Sequence, residues 1–122
     1  MLQLRSILVA ADNSGARKLR LVNVPHYSKK HTASVGEVID AIVFEALPDA
    51  PLKKGDKVKA VIVRTKKEKR RLDGSYIRFA DNAAVVVDSQ GMPLGTRIFG
   101  PVAMEVKEKG FTKIASLAKE VV

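Results

Sequence analysis

Two short stretches of this chain leave little choice of surroundings. Ala60-Val61-Ile62-Val63 and Ala83-Ala84-Val85-Val86-Val87 are apolar at every position. Both are rich in β-branched residues and bounded by polar ones, so both read as strands. A strand sends successive side chains to opposite faces. One that is apolar on both must be covered on both, or lie in a sheet that curls closed. The chain has 122 residues, which suits a single domain over 1–122. That length buries roughly two-thirds of the surface the unfolded chain exposes, so no staple is needed. None is on offer in any case: there is no Cys. Thiol catalysis, a Cys-based zinc site and a disulfide framework are thereby excluded, and a reducing compartment fits.

The other segments fall into place around these strands. Ile7 to Ala11 is an apolar run ending at Asp12-Asn13-Ser14-Gly15, four strong turn formers. Leu19, Leu21, Val22 and Val24 resume as a strand that Pro25 stops. His26 to Ser34 is polar and basic and reads as a loop. Gly36-Glu37 and Gly55-Asp56 each launch a Val/Ile-rich strand, an echo of local architecture too brief for a repeat protein. Pro48 and Pro51 bracket the loop between them. Pro101 fits the first turn of a helix and Gly110 its end, with Val102, Ala103, Val106 and Lys109 at helical spacing. Ile114, Leu117 and Ala118 make a second helical turn or two. The expected fold is mainly β: a small closed five-stranded antiparallel barrel, a projecting basic β-hairpin, and one or two short helices within 100–122.

The formal net charge is +9, and it is concentrated. Arg64, Lys66, Lys67, Lys69, Arg70 and Arg71 follow the first apolar strand directly. Asp73-Gly74 then signals a tight hairpin in which both central residues take positive φ. Tyr76-Ile77-Arg78-Phe79 returns with alternation, Ile77 and Phe79 on one face, Tyr76 and Arg78 on the other. A ribbon this basic repels itself until a polyanion neutralises it, and structured RNA is the expected one. Arg can bind phosphate and stack on bases, and Tyr76 adds an aromatic platform. Glu68 within the ribbon tempers the repulsion. Lys53 and Lys54 join the candidate RNA contacts. Arg17 and Lys18 follow the Asp12–Gly15 turn, whose N–H groups could cradle a phosphate.

Other chemistry finds little support. His26 and His31 have no third ligand, and Lys29 and Lys30 between them repel a cation, so no metal site is expected and that loop reads as a further phosphate contact. Phosphate-binding glycine loops, zinc-ligand spacing and nucleophile elbows are missing, so neither an enzyme nor a cofactor is expected. No apolar run approaches the ~20 residues that span a bilayer, and the N-terminus has no signal-peptide pattern. Gly95-Thr96-Arg97-Ile98-Phe99-Gly100-Pro101 is a sharply shaped connection. It reads with Phe99 as its core anchor and Thr96 and Arg97 presented outward.

Taken in order, these residues resemble the large ribosomal subunit protein fourteen family. The resemblance rests on Ala11 to Arg17, Lys59 to Lys67, Asp73 to Phe79, Asp81 to Val86, Gly95 to Ala103 and Lys113 to Ala118, and runs end to end. Met104 and Val106 stand where Arg and Leu are commoner, Lys119 where Pro is frequent, and residues 23–34 match loosely. The resemblance implies a five-stranded barrel that binds large-subunit rRNA, touches neighbouring large-subunit proteins and bridges to small-subunit rRNA. It also implies that Thr96, Arg97, Lys113 and Ser116 form a surface where a ribosome silencing factor docks. The wording looks bacterial or organellar, placing the protein in a cytoplasmic or organellar ribosome. A free RNA-binding or translation-control module with a similar barrel is the alternative.

Overall fold

The computed structural model describes residues 2–3, 5–24 and 32–122. Along the chain the strands are β1 (Leu2–Gln3), β2 (Ile7–Ala10), β3 (Ala16–Asn23), β4 (Thr32–Ala33), β5 (Val38–Ala46), β6 (Lys57–Arg64), β7 (Lys69–Arg70), β8 (Tyr76–Ile77) and β9 (Ala83–Val87). Two helices follow, α1 (Met104–Glu108) and α2 (Thr112–Leu117). Strands β2-β3-β5-β6-β9 close into the expected barrel. It is not wholly antiparallel, because β2 and β9 pair in parallel, Val9 opposite Ala83. Parity is the reason. When neighbours alternate in direction around an odd number of strands, the first and last point the same way.

Closure explains the two all-apolar strands. Leu8, Leu19, Leu21, Ile39, Val43, Ile62 and Val86 fill the barrel interior and are fully buried. The alternate side chains of β6 and β9, among them Val61, Val63 and Val85, face outward. They are buried just as deeply, under Ile98, Val102, Val106 and Ile114 from the C-terminal segment. These two strands thus separate two cores, and an apolar residue is required at every step along them.

The Gly-acid echo has a mechanism. Glu37 Oε2 accepts the N–H of Ser34 at 2.6 Å, and Asp56 Oδ2 accepts that of Lys53 at 2.9 Å. In both turns the acid folds back onto a backbone donor before its strand begins. Two expectations shift. Thr32–Ala33, read as loop, is strand β4 and pairs with Leu2–Gln3. Pro101, Val102 and Ala103 precede α1 rather than starting it, because Val102 is engaged in a parallel bridge to Val121. Gly110 does follow α1, with φ +98°. No helix among the described residues is long and apolar enough to cross a membrane.

Candidate nucleic-acid and partner surfaces

The basic ribbon forms, but as a shorter pairing than its sequence advertises. Lys69 lies opposite Ile77 and Arg70 opposite Tyr76. Below them the Phe79 N–H donates to Thr65 O at 2.9 Å. Between these pairings one side supplies Lys66, Lys67 and Glu68 and the other only Arg78. The excess bulges outward, held by Asn82 Oδ1 accepting the Lys66 N–H at 2.8 Å and by the Thr65 hydroxyl donating to Lys67 O at 3.0 Å. The alternation beyond the turn holds: Tyr76 and Arg78 are exposed, Ile77 and Phe79 half-buried.

The turn differs from the expected two-residue form. The Gly74 N–H donates to Arg71 O at 3.0 Å and the Arg71 N–H to Ser75 O at 2.8 Å. Gly74 has φ +88°, whereas Asp73 is not in the positive region. This is a three-residue loop, a tight turn followed by a left-handed glycine. Asp73 instead accepts from the Ser75 hydroxyl at 2.6 Å and N–H at 2.9 Å, which holds its carboxyl below the usual range. Leu72 at the tip is wholly exposed.

The ribbon's arginines divide into two kinds. Lys66, Lys67, Arg70 and Arg78 are exposed, and Lys69 is half-buried. Glu68 stands 3.6 Å from Lys67. Its carboxyl is held low by its own backbone N–H and by the Lys67 and Arg78 charges, so it stays negative among cations. Arg64 and Arg71, both among the candidate RNA contacts, turn inward. Arg64 is buried, its Nε 2.9 Å from Asp81 Oδ1 and its Nη1 donating to the carbonyls of Phe99 at 2.8 Å and Pro101 at 3.1 Å. Arg71 donates to Glu105 Oε1 at 2.9 Å and to Val122 O at 2.8 Å. Arg64 engages all three of its nitrogens in the fold, and Arg71 its Nη2. Between ribbon and α1 lies an open cavity of about 490 Å³.

The other cations are not brought to the ribbon. Arg17 and Lys18 are both exposed although adjacent on β3, because register shifts on either side of Lys18 break the alternation. They flank Glu45, at 3.8 Å and 3.6 Å. Lys53 and Lys54 are exposed in the β5–β6 turn. They lie at the far end of β6 from the ribbon, roughly 23 Å away by strand rise. Lys29, Lys30, His26 and His31 lie outside the described residues. Among the described residues no cluster of potential metal ligands exists.

Thr96, Arg97, Lys113 and Ser116 are all exposed. The expected core anchor of this surface is the neighbouring residue: Ile98 is buried at 4% exposure, while Phe99 is 52% exposed. Extended backbone puts Arg97 and Phe99 on one side and Ile98 on the other, and the apolar outer core takes Ile98. Ile114 is buried and Ser116 faces out, its hydroxyl donating to Lys113 O at 2.8 Å. A shallow cavity of about 240 Å³ separates this loop from α2, lined by Arg97, Phe99, Leu117 and Lys119 among others. Sequence reading missed Phe99 and Lys119 as surface residues here, while Leu117 packs partly against the outer core as expected.

The Asp12–Gly15 turn is tied to its neighbours by its own side chains. Asp12 is buried and accepts the Ser14 hydroxyl at 2.7 Å and the Val86 N–H at 3.0 Å. Burial pushes its carboxyl above the ordinary value, against the pull of those hydrogen bonds. Asn13 Oδ1 accepts the N–H groups of Thr96 and Arg97. The turn is therefore aimed at the Gly95–Phe99 loop.

A barrel of odd strand number, a bulged basic ribbon and a C-terminal cover over one barrel wall together restrict the comparison with known proteins. The family described as ribosomal protein L14p/L23e matches residues 1–122. The chain belongs to that family. A relative from Petrotoga mobilis (strain DSM 10674 / SJ95), named large ribosomal subunit protein uL14, is 60% identical over 121 residues, covering 99% of each chain. The L14p/L23e family is one of ribosomal proteins and not of enzymes.

Proposed function

We propose that the protein is a structural constituent of the large ribosomal subunit and that its ribbon grips large-subunit rRNA. The observation that carries this reading is the division of the arginines. Arg64 ties the base of the ribbon to the body and Arg71 its tip end, and Lys66, Lys67, Lys69, Arg70, Tyr76 and Arg78 are left to meet RNA. Arg17, Lys18, Lys53 and Lys54 serve a second RNA face, and Lys29 and Lys30 are assigned with them from sequence alone. Neighbouring large-subunit proteins are further partners. The surface of Thr96, Arg97, Lys113 and Ser116 stays free of large-subunit rRNA. It contributes to a bridge with small-subunit rRNA and docks a ribosome silencing factor.

Two measurements test this. A ribosomal constituent stays with the large subunit through a high-salt sedimentation, whereas a free module held by phosphate contacts washes off. In isolated rRNA binding, replacing Lys66, Lys67 and Arg70 with Ala is expected to flatten the salt dependence by roughly 0.7–0.9 per lost phosphate contact. An unchanged slope would mean these side chains face solvent. For the second surface, an Arg97→Glu, Ser116→Arg protein is expected to assemble normally and to lose factor binding or subunit joining. Defective assembly with intact factor binding would place these residues against large-subunit rRNA.

A further inference from the structure

We infer that Asn13 is the positioning residue of the Thr96–Arg97 docking surface, presenting it to a protein partner as a preformed shape. The inference rests on the docking reading above. One side chain holds both docking residues. Asn13 Oδ1 accepts the N–H of Thr96 at 2.8 Å and that of Arg97 at 3.0 Å, and Nδ2 donates to the Thr96 hydroxyl at 3.0 Å. Only an oxygen can accept two N–H donors, so the amide has one orientation here.

Packing says the same independently. A Cβ on Gly95 would lie 2.6 Å from Asn13 Oδ1. That is closer than such atoms approach, so residue 95 is small where the clamp occupies its space. Asn13 is in turn mounted on the barrel wall. Its neighbour Asp12 accepts the Val86 N–H of β9 and bridges to Ile98, and the Phe99 N–H donates to Ala11 O at 2.7 Å. A continuous series of contacts thus runs from a barrel strand to the backbone of Arg97. The Arg97 side chain itself is exposed, with exposed Phe99 beside it. A cation beside an aromatic ring fits a protein partner that offers a carboxylate next to an apolar contact. A loop already held in its bound shape loses less freedom on docking.

The variants to compare are Asn13→Ala, which removes all three hydrogen bonds, and Asn13→Asp, which keeps the acceptor for both N–H groups and lets the Thr96 hydroxyl donate. Gly95→Ala should act like Asn13→Ala by displacing the side chain, and Arg97→Glu tests the surface itself. In the full-length protein, Asn13→Ala is expected to speed amide exchange at Thr96 and Arg97 by about tenfold or more, with the β6 and β9 amides unmoved. In large subunits carrying each variant, affinity for purified silencing factor is expected to fall roughly tenfold with Asn13→Ala and Gly95→Ala. Asn13→Asp should bind like the unaltered protein. Unchanged exchange at Thr96 and Arg97 would overturn the clamp. Lost binding with Arg97→Glu but full binding with Asn13→Ala would overturn the positioning role while leaving the docking surface standing. Full binding with both would overturn the docking reading and this inference with it.

Discussion

The basic ribbon and the Gly95–Phe99 loop both project from the barrel, yet they are held in different ways. The ribbon has two-residue strands, a bulge at its base and a wholly exposed leucine at its tip. Its attachments to the body are largely two inward arginines, Arg64 and Arg71. The loop has no strand of its own. It is pinned by a buried Ile98 and by neutral hydrogen bonds to Asn13. A region that must follow an irregular polyanion can tolerate give between its fixed points. A region that must be recognised by shape cannot. On the functions proposed above, the ribbon is the first kind and the loop the second, with charge anchoring one and amide geometry the other.

Arg64 is where the comparison is easiest to break, because it touches both regions. It leaves the base of the ribbon and donates to the carbonyls of Phe99 and Pro101, beside the loop. Arg64→Ala should cost about 3 kcal/mol in denaturant unfolding. That is the lower end for a broken buried pair, since the Asp81 side chain is 40% exposed and can rehydrate. A loss below about 1 kcal/mol would mean that Arg64 is an ordinary surface cation after all.

Gly15→Val tests the turn that carries Asn13, away from the ribbon. Gly15 has φ +107°, and a Cβ there would lie 2.5 Å from that of Ala50. Strain and crowding together should cost about 2–3 kcal/mol in thermal unfolding. The ribbon's salt slope should not change. If it does, the two regions are coupled and the contrast is too sharply drawn.

The smallest effect concerns Asp12, beneath the clamp. Burial raises its carboxyl above 3.8. A raised carboxyl adds stability below 3.8 that is lost as pH rises through the folded-state value, so its charge is a net cost at neutral pH. A side-chain carboxyl titration by NMR should give a midpoint above 3.8. A lower midpoint would mean that the hydrogen bonds from Ser14 and Val86 outweigh burial.

Much of the fold was legible because it depends on pattern. Val61 and Val85 in unbroken apolar runs required two covered faces, and two cores supply them. Period-two spacing placed Ile77 and Phe79 correctly against Tyr76 and Arg78. What pattern does not carry is the destination of a long polar side chain. Arg64 and Arg70 look alike in a basic run, and only the carbonyls of Phe99 and Pro101, 35 and 37 residues on, draw one of them inward. Asn13 reads as a turn former for the same reason, since its partners are 83 and 84 residues away. Phe99 was misplaced by a single step of alternation, which hydrophobicity alone could not decide between it and Ile98.

The cover over β6 and β9 bears on how the protein is made. The residues that shield Val61, Val63 and Val85 from water, Val102, Val106 and Ile114, are synthesised after all five barrel strands. Until they emerge, the nascent chain carries an uncovered valine-rich wall, the kind of surface on which chains stick to one another. A chain ended after Pro101 is expected to bind an apolar dye and to precipitate where the full chain does not. The residues after Pro101 are a finishing step, and a chain stalled or clipped before them is a hazard to its neighbours.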